Sequence, residues 1–304
     1  MSEFDDPGIY RLVLESLQTG VYLVDRDQRI VFWNEGAEKI TGYKRHEVVG
    51  HLCRENLIKS EKDPRPILSD TSNTLLSALR DGKPAMANVA LLHKAGHRIS
   101  VRLRAVPIRN SHGSVIGAAE SFEENPAASD WDRRQTKLAE YGCLDQVTGI
   151  LNQGMIQSRL RDTLATFSQH FVPFSILCIA VDNLDQLRKS NGMGIVAPVL
   201  RVVAQTIENS LRPTDFLGRF GDNEFLAILT ECDSSEVPLV GERLRKMVGA
   251  SHVEWWGNQL DLSASFGAAS WLPGDDVESL VRRGEGSLRR SIANGGNCVM
   301  LTNA

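Results

Sequence analysis

The second half of the sequence alternates apolar, strand-like runs with amphipathic helical runs, and this order restricts the folds open to it. Buried strands are predicted at "PFSILCIAVD" and "LDLSASFGAASW". Helices are predicted at "GMIQSRLRDTLATFSQ", "APVLRVVAQTIENSL", "SEVPLVGERLRKMVGA" and "VESLVRRGEGSLRRSI". Two further runs, "DFLGRF" and "EFLAILT", are close enough to form a hairpin. The pattern therefore predicts a sheet flanked by helices.

The first half has a different pattern, from about residue 8 to residue 123. Two strands are predicted around the turn "DRDQ" in "TGVYLVDRDQRIVFWN", followed by short helices in "EGAEKITGYKRHEVVG". Three antiparallel strands with turns at "KAGH" and "NSHG" follow later. This order predicts a small half-barrel, and a length of 304 residues accommodates two such domains.

A segment of different composition, "ENPAASDWDRRQTKLAEYGCL", joins the two halves. It is polar and compatible with a helix, and Trp131, Leu138 and Tyr141 recur at roughly heptad spacing. A signalling helix between the domains is our interpretation, and a plain solvated linker helix is the alternative. The chain is thus predicted to be an α+β protein with domains at residues 8–123 and 145–302 and a linker at 124–144.

Charge and apolar patterning exclude several classes of function. The net charge is −4 and no long basic run occurs, so neither nucleic acid nor an anionic membrane surface is an expected partner. No apolar run reaches the length of a membrane span, and "MSEFDDPGIY" lacks the build of a signal peptide. Five scattered cysteines without a CxxC pair argue against a zinc site or a disulfide framework. We expect a cytoplasmic protein.

Specific motifs resemble two known families. "GVYLVDRDQRIVFWNEGAEKITGYKRHEVVGH" resembles the start of a PAS domain, and "LLHKAGHRISVRLRAVPIRNSHGSVIGAAESFEE" resembles its end. "LDQVTGILNQ", "RFGDNEF", "SASFGAA" and "NGGNCV" resemble, in order, four landmarks of the GGDEF domain of diguanylate cyclases. The resemblance implies a bacterial signalling protein with a PAS half-barrel, a linker helix and a nucleotide-cyclase-like GGDEF sheet. It also implies a homodimer formed through the PAS domain and the linker.

The same resemblance identifies the positions that would carry catalysis. The family joins two GTP molecules into cyclic di-GMP with magnesium, an ion that prefers carboxylate oxygens. At the metal-binding strand end "AVDNLD", Ala180 replaces the first carboxylate and Asp182 remains. In the signature, Asn223 replaces the catalytic, metal-binding carboxylate, and Glu224 keeps the next one. Asp182, Asn223 and Glu224 are therefore residual motif positions, and Asp182 and Glu224 are weak metal candidates.

The positions that would contact the nucleotide have changed as well. Asp185 replaces a phosphate-contacting lysine, and Asp222 replaces a glycine that lets the backbone approach the phosphates. The two guanine-contacting positions hold Arg188 and Ala197, and the two phosphate-binding cations become Ile292 and Gly296. Because so many interactions are absent together, we predict that the domain is catalytically inactive and uses Mg only if it is active.

One family site looks intact. An inhibitory product-binding site in this family uses an RxxD motif just before the signature, and Arg212 and Asp215 occupy that place. Arg243 matches the second arginine of the site. An arginine fork can bond the guanine edge and neutralise phosphate, and an aspartate can accept from a guanine N–H. The prediction is a cyclic di-GMP site at Arg212, Asp215 and Arg243; the alternative is a surface ion pair between Arg212 and Asp215.

The ligand of the PAS domain is left open. Cys53 in "GHLCREN" resembles the reactive cysteine of flavin-binding PAS photoreceptors, but the supporting polar positions hold Leu52, Glu55, Leu57, Leu91 and Val101. We therefore interpret Cys53 as a buried small apolar residue. The histidines that could bind haem are His51, His93 and His97. An apolar small molecule, or no ligand and dimerisation alone, is an equal alternative.

The sequence thus favours a PAS–GGDEF sensor that binds cyclic di-GMP and signals through contact with a downstream protein. Two alternatives remain open: an active diguanylate cyclase with an altered site, and an interaction module that binds no nucleotide.

Overall fold

The computed structural model describes residues 7–53, 71–124, 142–170 and 172–302. These residues form two compact units, one before and one after the linker segment. The linker helix that we predicted from its composition lies almost entirely outside the described residues, as do Trp131, Leu138 and Tyr141. The boundaries at residues 123 and 145 remain predictions.

The N-terminal unit is a five-stranded sheet with short helices packed against it, in the strand order β2-β1-β5-β4-β3. Its strands are β1 (Gly20–Asp25), β2 (Ile30–Trp33), β3 (Ala85–Leu92), β4 (Arg98–Arg109) and β5 (Val115–Glu124). Its helices are α1 (Pro7–Ser16), α2 (Glu35–Thr41), α3 (Arg45–Val48) and α4 (Thr71–Leu76), the last continued by a π-helical turn over Ser77–Asp81. The predicted pair of strands and the predicted three-stranded meander are both present.

One buried amide organises the start of this unit. Asn34 caps α2, and its Oδ1 accepts hydrogen bonds of 2.8 Å from the backbone N–H groups of Ala37 and Val21. Its Nδ2 donates to the carbonyls of Leu14 and Thr19, both at 2.9 Å. Every polar atom of this buried side chain therefore has a partner, and the amide fixes how the chain passes from α1 through β1 into α2.

The C-terminal unit is a second five-stranded sheet, in the order β12-β11-β6-β8-β7, accompanied by a separate two-stranded hairpin. Its strands are β6 (Phe174–Val181), β7 (Phe216–Arg219), β8 (Glu224–Thr230), β9 (His252–Trp255), β10 (Asn258–Asp261), β11 (Ala264–Ser270) and β12 (Val299–Leu301). Its helices are α5 (Gln153–His170), α6 (Leu184–Asn191), α7 (Val196–Glu208), α8 (Val237–Gly249) and α9 (Val277–Ala293), with a 3₁₀ turn at Met193–Ile195.

Helices cover both faces of this second sheet. The central strand β6 is buried along its whole length, and its alternate side chains enter two different cores. Leu177 and Ile179 pack with residues of α7 and α8, whereas Ile176 and Cys178 pack with residues of α5 and α9. A strand buried on both faces reads as a continuous apolar run, which is why "FSILCIAV" was recognisable from the sequence.

Three elements differ from the sequence predictions. The single strand expected over "LDLSASFGAASW" is two strands, β10 and β11, interrupted at Leu262 and Ser263. The hairpin β9–β10 was missed, although Trp256 and Gly257 form its turn with φ angles of 51° and 77°. The helix α6 was also missed, because it is short, none of its residues is fully buried, and only Leu184 and Leu187 pack against the core.

Within the described residues, no helix has both the length and the apolar composition needed to cross a bilayer.

Candidate functional site

The matched nucleotide positions surround a cleft of about 850 Å³ in the C-terminal unit. Its walls come from the end of β6 with residues 182–185, from the turn that holds Asp222 and Asn223, and from the segment Gly295–Asn297. Arg188, Arg219, Met193 and Ile292 complete it. The strands β6 and β8 are neighbours in the interior of the sheet, so the cleft lies where two central strands end.

Asp182 is held by the protein itself. Its Oδ1 accepts a 2.6 Å hydrogen bond from the hydroxyl of Ser265, and its Oδ2 accepts a 3.0 Å bond from the backbone N–H of Asn297. Gly296 lies so close that a Cβ there would be 3.1 Å from Oδ1. Both carboxylate oxygens therefore connect the end of β6 to β11 and to the loop before β12.

The other two residual motif positions are not arranged as metal ligands. Asn223 donates through its amide to the carbonyl of Val181 at 3.4 Å. Glu224 pairs across the sheet with Ala180 but does not line the cleft. Burial raises the pKa of Glu224, and the nearby carboxylate of Glu285 on α9 raises it further. The structure thus places Glu224 beside α9 rather than beside Asp182 in the cleft.

An arginine that the sequence reading missed stabilises the signature turn. The guanidinium of Arg219 donates to the carbonyl of Gly221 at 2.6 Å and also to the carbonyl of Asp222. It lies 3.5 Å from the carboxylate of Asp145 and 5.9 Å from the ring centre of Phe225. The sequence contains this arginine in the "RF" that opens the signature "RFGDNEF", and that position was the available signal.

Neither arginine in the described wall of the cleft is free for a triphosphate. Arg219 is committed to the turn, and Arg188 forms a 2.9 Å ion pair with Asp185 one helical turn away. The carboxylate of Asp222 adds a further negative charge to the wall. Ile292, where the family has a phosphate-binding lysine, is 49% exposed and apolar. The charges of the cleft therefore repel phosphate groups more than they attract them.

Magnesium, which the family implies, does not fit these side chains. A hard cation of this kind needs oxygen ligands in near-octahedral geometry. Here Ala180 supplies none, Asn223 is an amide bonded to backbone, and both oxygens of Asp182 already accept hydrogen bonds. Over the described ranges, no group of three or more His, Cys, Asp or Glu side chains is placed to hold a metal ion.

A second, smaller pocket of about 200 Å³ brings together the three residues of the predicted cyclic di-GMP site. Arg212 and Asp215 lie in the turn before β7, and Arg243 reaches the pocket from α8. The remaining walls are formed by Leu229, Thr230, Cys232, Glu236, Leu239 and Val240.

Arg212 and Asp215 do not form the simple side-chain ion pair that was the alternative interpretation. Asp215 is buried, and its Oδ2 accepts a 3.0 Å bond from the backbone N–H of Arg212, not from the guanidinium. Its Oδ1 accepts 3.1 Å and 3.4 Å bonds from the N–H and hydroxyl of Thr230. Asp215 therefore closes the turn and ties it to the end of β8.

The two arginines share their pocket with two acids, Asp215 and Glu236. Arg243 donates to the carbonyl of Ser210 at 3.0 Å. Burial lowers the pKa of Arg243, and the charge of Arg212 lowers it further, because the two guanidinium groups are close together. Among the ion pairs of residues 142–170 and 172–302, none involves Arg212 or Arg243. A pocket of this kind is suited to an anion.

The N-terminal unit holds a buried polar cluster. Glu120 on β5 is 1% exposed, and it accepts a hydrogen bond from the hydroxyl of Tyr22. The hydroxyl of Thr74 lies 3.4 Å from Glu120, and the thiol of Cys53 lies 3.2 Å from the hydroxyl of Tyr22. Trp33 packs against Tyr22 with ring centres 5.5 Å apart. The sequence reading placed Cys53 in the core and missed Glu120, whose neighbours come from distant segments.

Among the positions compared with flavin and haem proteins, Cys53 belongs to this cluster, whereas Glu55 and Leu57 lie outside the described residues. Leu91 and Val101, which stand where flavin-binding domains have amides, are both buried core residues. His51 is exposed, and Nδ1 of His93 accepts a 2.9 Å bond from the N–H of Ala95.

Comparisons with known proteins match both units. Residues 143–298 match the family model described as diguanylate cyclase, GGDEF domain, and residues 8–120 match the PAS fold. The probable diguanylate cyclase DgcE of Escherichia coli is 24% identical over 266 residues, covering 87% of this chain and 23% of that protein. The diguanylate cyclase DosC of E. coli is 25% identical over 299 residues, covering 97% and 57%. The chain thus spans less than two thirds of either relative.

Solved structures resemble the C-terminal unit. The coiled coil and GGDEF domain of DgcB from Caulobacter crescentus, in complex with c-di-GMP, has a TM-score of 0.52 at 21% identity, covering 58% of this chain and 95% of that one. Diguanylate cyclase SiaD of Pseudomonas aeruginosa, in complex with its activator SiaC, has a TM-score of 0.51 at 25% identity, covering 58% and 70%. With the family matches over both units, the chain belongs to the diguanylate cyclase GGDEF-domain family and carries a PAS fold ahead of that domain.

Proposed function

We propose that this protein is a signalling receptor whose PAS domain senses an input and whose GGDEF domain binds cyclic di-GMP without synthesising it. One observation carries the proposal: Arg212 and Arg243 bring two guanidinium groups into one pocket with no ion pair to either among the described residues. Guanidinium groups without an ion pair among the described residues can bond an anionic ligand, even with Asp215 and Glu236 in the same pocket.

The chemistry of cyclic di-GMP suits that pocket. The ligand presents two phosphates, which the arginines neutralise, and guanine O6 and N7 acceptors, which a planar guanidinium bonds in pairs. Asp215 keeps the turn closed so that Arg212 is held at the mouth. On this proposal, part of the ligand enters the pocket of about 200 Å³ and the rest lies along the surface beside Leu239.

Synthesis requires features that the larger cleft lacks. Phosphoryl transfer depends on metal ions and cations that stabilise the charge developing on phosphate oxygens. The donor set around Asp182 does not fit magnesium, and Arg188 and Arg219 are engaged within the protein. These observations support a receptor derived from an enzyme.

The assembly that transmits the signal belongs to the same proposal. We place the protein in the cytoplasm as a homodimer formed through the PAS domain and the linker, with C2 symmetry as the usual arrangement. The output is contact with a downstream protein. Another diguanylate cyclase, SiaD, has been solved in complex with a protein partner, its activator SiaC.

Calorimetric titration of the full chain with cyclic di-GMP tests the receptor. Binding is expected in the wild type and is expected to be lost in Arg212→Ala. The matched control is Arg188→Ala, which removes an arginine of the larger cleft and is expected to bind as the wild type does. Loss of binding in the control with retention in Arg212→Ala would assign the ligand to the cleft and contradict the proposal.

An altered diguanylate cyclase is the second candidate, and the names of the curated relatives DgcE and DosC favour it. Turnover of GTP with magnesium or manganese, followed by detection of cyclic di-GMP, decides between the two. Product formation contradicts the inactive receptor. If the chain neither turns over GTP nor binds either guanine nucleotide, the interaction module without nucleotide is the correct description.

A further inference from the structure

The larger cleft has exposed apolar side chains on its walls. Met193 and Ile292 both line it, and they are 70% and 49% exposed. Met193 begins the 3₁₀ turn that follows α6, whereas Ile292 lies in the last turn of α9. Leu184 and Val196 add further apolar surface to the same walls. A molecule that fills the cleft therefore meets hydrocarbon as well as polar groups.

The apolar surface continues from the cleft to the tip of the hairpin β9–β10. A Cβ at Gly194, next to Met193, would lie 3.2 Å from Cη2 of Trp255, so that indole lies against the 3₁₀ turn. Its Nε1 donates a 3.3 Å hydrogen bond to the carbonyl of Asn191. The ring centre of Trp256 is 6.1 Å from that of Trp255, and Trp256 is 87% exposed. We call Met193, Trp255 and Trp256 the tryptophan ridge.

Both arginines of the cleft already have acidic partners. Arg188 lies 2.9 Å from the carboxylate of Asp185, and Arg219 lies 3.5 Å from that of Asp145. Each of these positive charges is therefore balanced within the unit. The net charge of the cleft is decided by its other ionisable side chains.

The other ionisable side chains of the described wall are two acids, Asp182 and Asp222. Asp182 accepts its hydrogen bonds from a hydroxyl and a backbone N–H, and neither donor carries a charge. Asp222 is exposed, and no ion pair within residues 142–170 and 172–302 includes it. The cleft thus combines an apolar surface with negative charge that no described cation balances.

We propose that the cleft and the tryptophan ridge dock a segment of the downstream protein in which a lysine or arginine lies beside an apolar side chain. The inference rests on one part of the proposed function, that the output is contact with another protein, and not on the binding of cyclic di-GMP. The cation pairs with Asp222 across the interface, and the apolar side chain covers the ridge. Tryptophan and methionine are among the residues enriched in protein interfaces, and tryptophan is frequent at their hot spots.

Other occupants match these features less well. A phosphate-bearing ligand would meet unbalanced carboxylates. A small cation alone would leave the apolar ridge in contact with water. A second copy that docked through the same surface about a two-fold axis would oppose acid with acid. A basic and apolar segment is the occupant that satisfies both the charge and the hydrocarbon.

The test titrates the full chain with the capped heptapeptide Gly-Lys-Leu-Lys-Leu-Lys-Gly and with two matched peptides. One matched peptide replaces the lysines by glutamate, and the other replaces the leucines by serine. Isothermal titration calorimetry at low ionic strength, where exposed charges are least screened, measures all three. The lysine–leucine peptide is expected to bind more tightly than either matched peptide by about threefold or more.

Two charge variants of the chain should act in opposite directions. Asp222→Asn removes an unbalanced acid and is expected to weaken binding of the lysine–leucine peptide by about two- to fivefold. Arg188→Ala releases Asp185 from its ion pair and is expected to strengthen binding by a similar factor. Asp162→Asn is the control, because it removes the same charge from an exposed position of α5 outside the cleft, and it should bind as the wild type does.

A third variant tests the ridge without disturbing the hairpin. Trp256 has a φ of 51° and is followed by Gly257, and asparagine before glycine suits such a turn. Trp256→Asn therefore removes the indole and keeps the turn. Its affinity for the lysine–leucine peptide is expected to fall by about fivefold, with an unchanged melting temperature.

The outcomes decide the inference independently of the receptor. No binding of the lysine–leucine peptide, equal binding of either matched peptide, or wild-type affinity in both Asp222→Asn and Trp256→Asn would overturn it. Conversion of a wild-type dimer into a monomer by Trp256→Asn, seen by analytical ultracentrifugation, would assign the surface to a second copy and also overturn it. If the peptide binds as expected but cyclic di-GMP does not bind, the docking surface stands and the receptor falls.

Discussion

Glu120 gives the N-terminal unit a stability that depends on pH. Burial raises the pKa of Glu120 from its ordinary value of 4.5 to about 8. The folded chain therefore holds this proton at neutral pH, whereas the unfolded chain releases it above about pH 4.5. The stabilising contribution is fully present below pH 4.5 and is lost progressively as the pH rises toward 8, since the unfolded state then binds fewer protons than the folded state.

We expect Glu120→Gln to reduce this dependence. Glutamine keeps an acceptor for the hydroxyl of Tyr22 but cannot ionise, so its melting temperature should exceed that of the wild type at pH 8 to 9 and approach it near pH 5. Thermal unfolding followed by near-ultraviolet circular dichroism across that range measures the effect. Glu35→Gln changes an exposed acid and should leave the profile unaltered; the same alkaline loss of stability in Glu120→Gln would contradict the assignment.

Asp182 leads to a prediction about metal. Because Ala180 and Asn223 supply no carboxylate beside Asp182, whose oxygens already accept hydrogen bonds, we expect millimolar magnesium to leave the melting temperature of the wild type unchanged. A site that bound the ion only when folded would raise the midpoint as its concentration rose. Differential scanning calorimetry with magnesium and with chelator makes the comparison. A magnesium-dependent rise that disappears in Asp182→Asn would show that the carboxylate is a ligand after all.

At the scale of elements, the backbone of α9 approaches the backbone of β11 closely at Gly267. A Cβ at Gly267 would lie 2.1 Å from the backbone nitrogen of Leu288 and 2.3 Å from the carbonyl of Gly284. Gly267→Ala must therefore push the helix away from the sheet, at an expected cost of about 1–3 kcal/mol or more in the free energy of unfolding.

Gly286, on the same helix, is the matched control for that substitution. A Cβ there meets nothing within 4 Å, so Gly286→Ala should stabilise the helix by about 0.5–1 kcal/mol. Denaturant unfolding of both variants measures the two changes. Equal effects at the two glycines would contradict the close approach.

Sequence reasoning succeeded where burial imposes a pattern and failed where it does not. The strands β6 and β8 and the helices α7 and α9 were predicted because their apolar residues follow the period of the element. The hairpin β9–β10 has only one buried residue, Val253, and its turn begins with a tryptophan at positive φ, so neither alternation nor turn chemistry indicated it. Likewise, α6 lies at the surface, and only its Leu184 and Leu187 pack against the core.

The candidate sites divide in the same way. Arg212, Asp215 and Arg243 were found because a motif fixes their spacing, and the pocket does bring them together. The hydrogen bonds of these residues could not be predicted from the sequence. Nothing in "RPTD" indicates that the carboxylate accepts a bond from the backbone of its own turn. Glu236 and Glu120 belong to no motif, and only tertiary structure places one in the wall of this pocket and the other beside Tyr22.

At the scale of the whole molecule, a ligand specific for one unit should shift only that unit's unfolding. A ligand that binds the folded state stabilises it by about 2.7 kcal/mol at 100 times its Kd. We therefore expect cyclic di-GMP to raise the melting temperature of the GGDEF transition and to leave the PAS transition in place. Scanning calorimetry of the full chain measures both, and Arg212→Ala should show no shift. A parallel rise of both transitions would contradict independent unfolding of the two units.

On the proposed function, the domain does not synthesise cyclic di-GMP. The cleft around Asp182, which bonds to Ser265 and Asn297, then bears on how such synthesis could arise again. Restoring Ala180→Asp and Asn223→Asp would return two carboxylates to a cleft whose phosphate-binding cations are replaced by Ile292 and Gly296. Each such step adds negative charge before any gain in turnover. On the proposed function, variants with only one or two of these substitutions would synthesise cyclic di-GMP no faster than the present chain. Selection for catalysis would therefore require several substitutions at once.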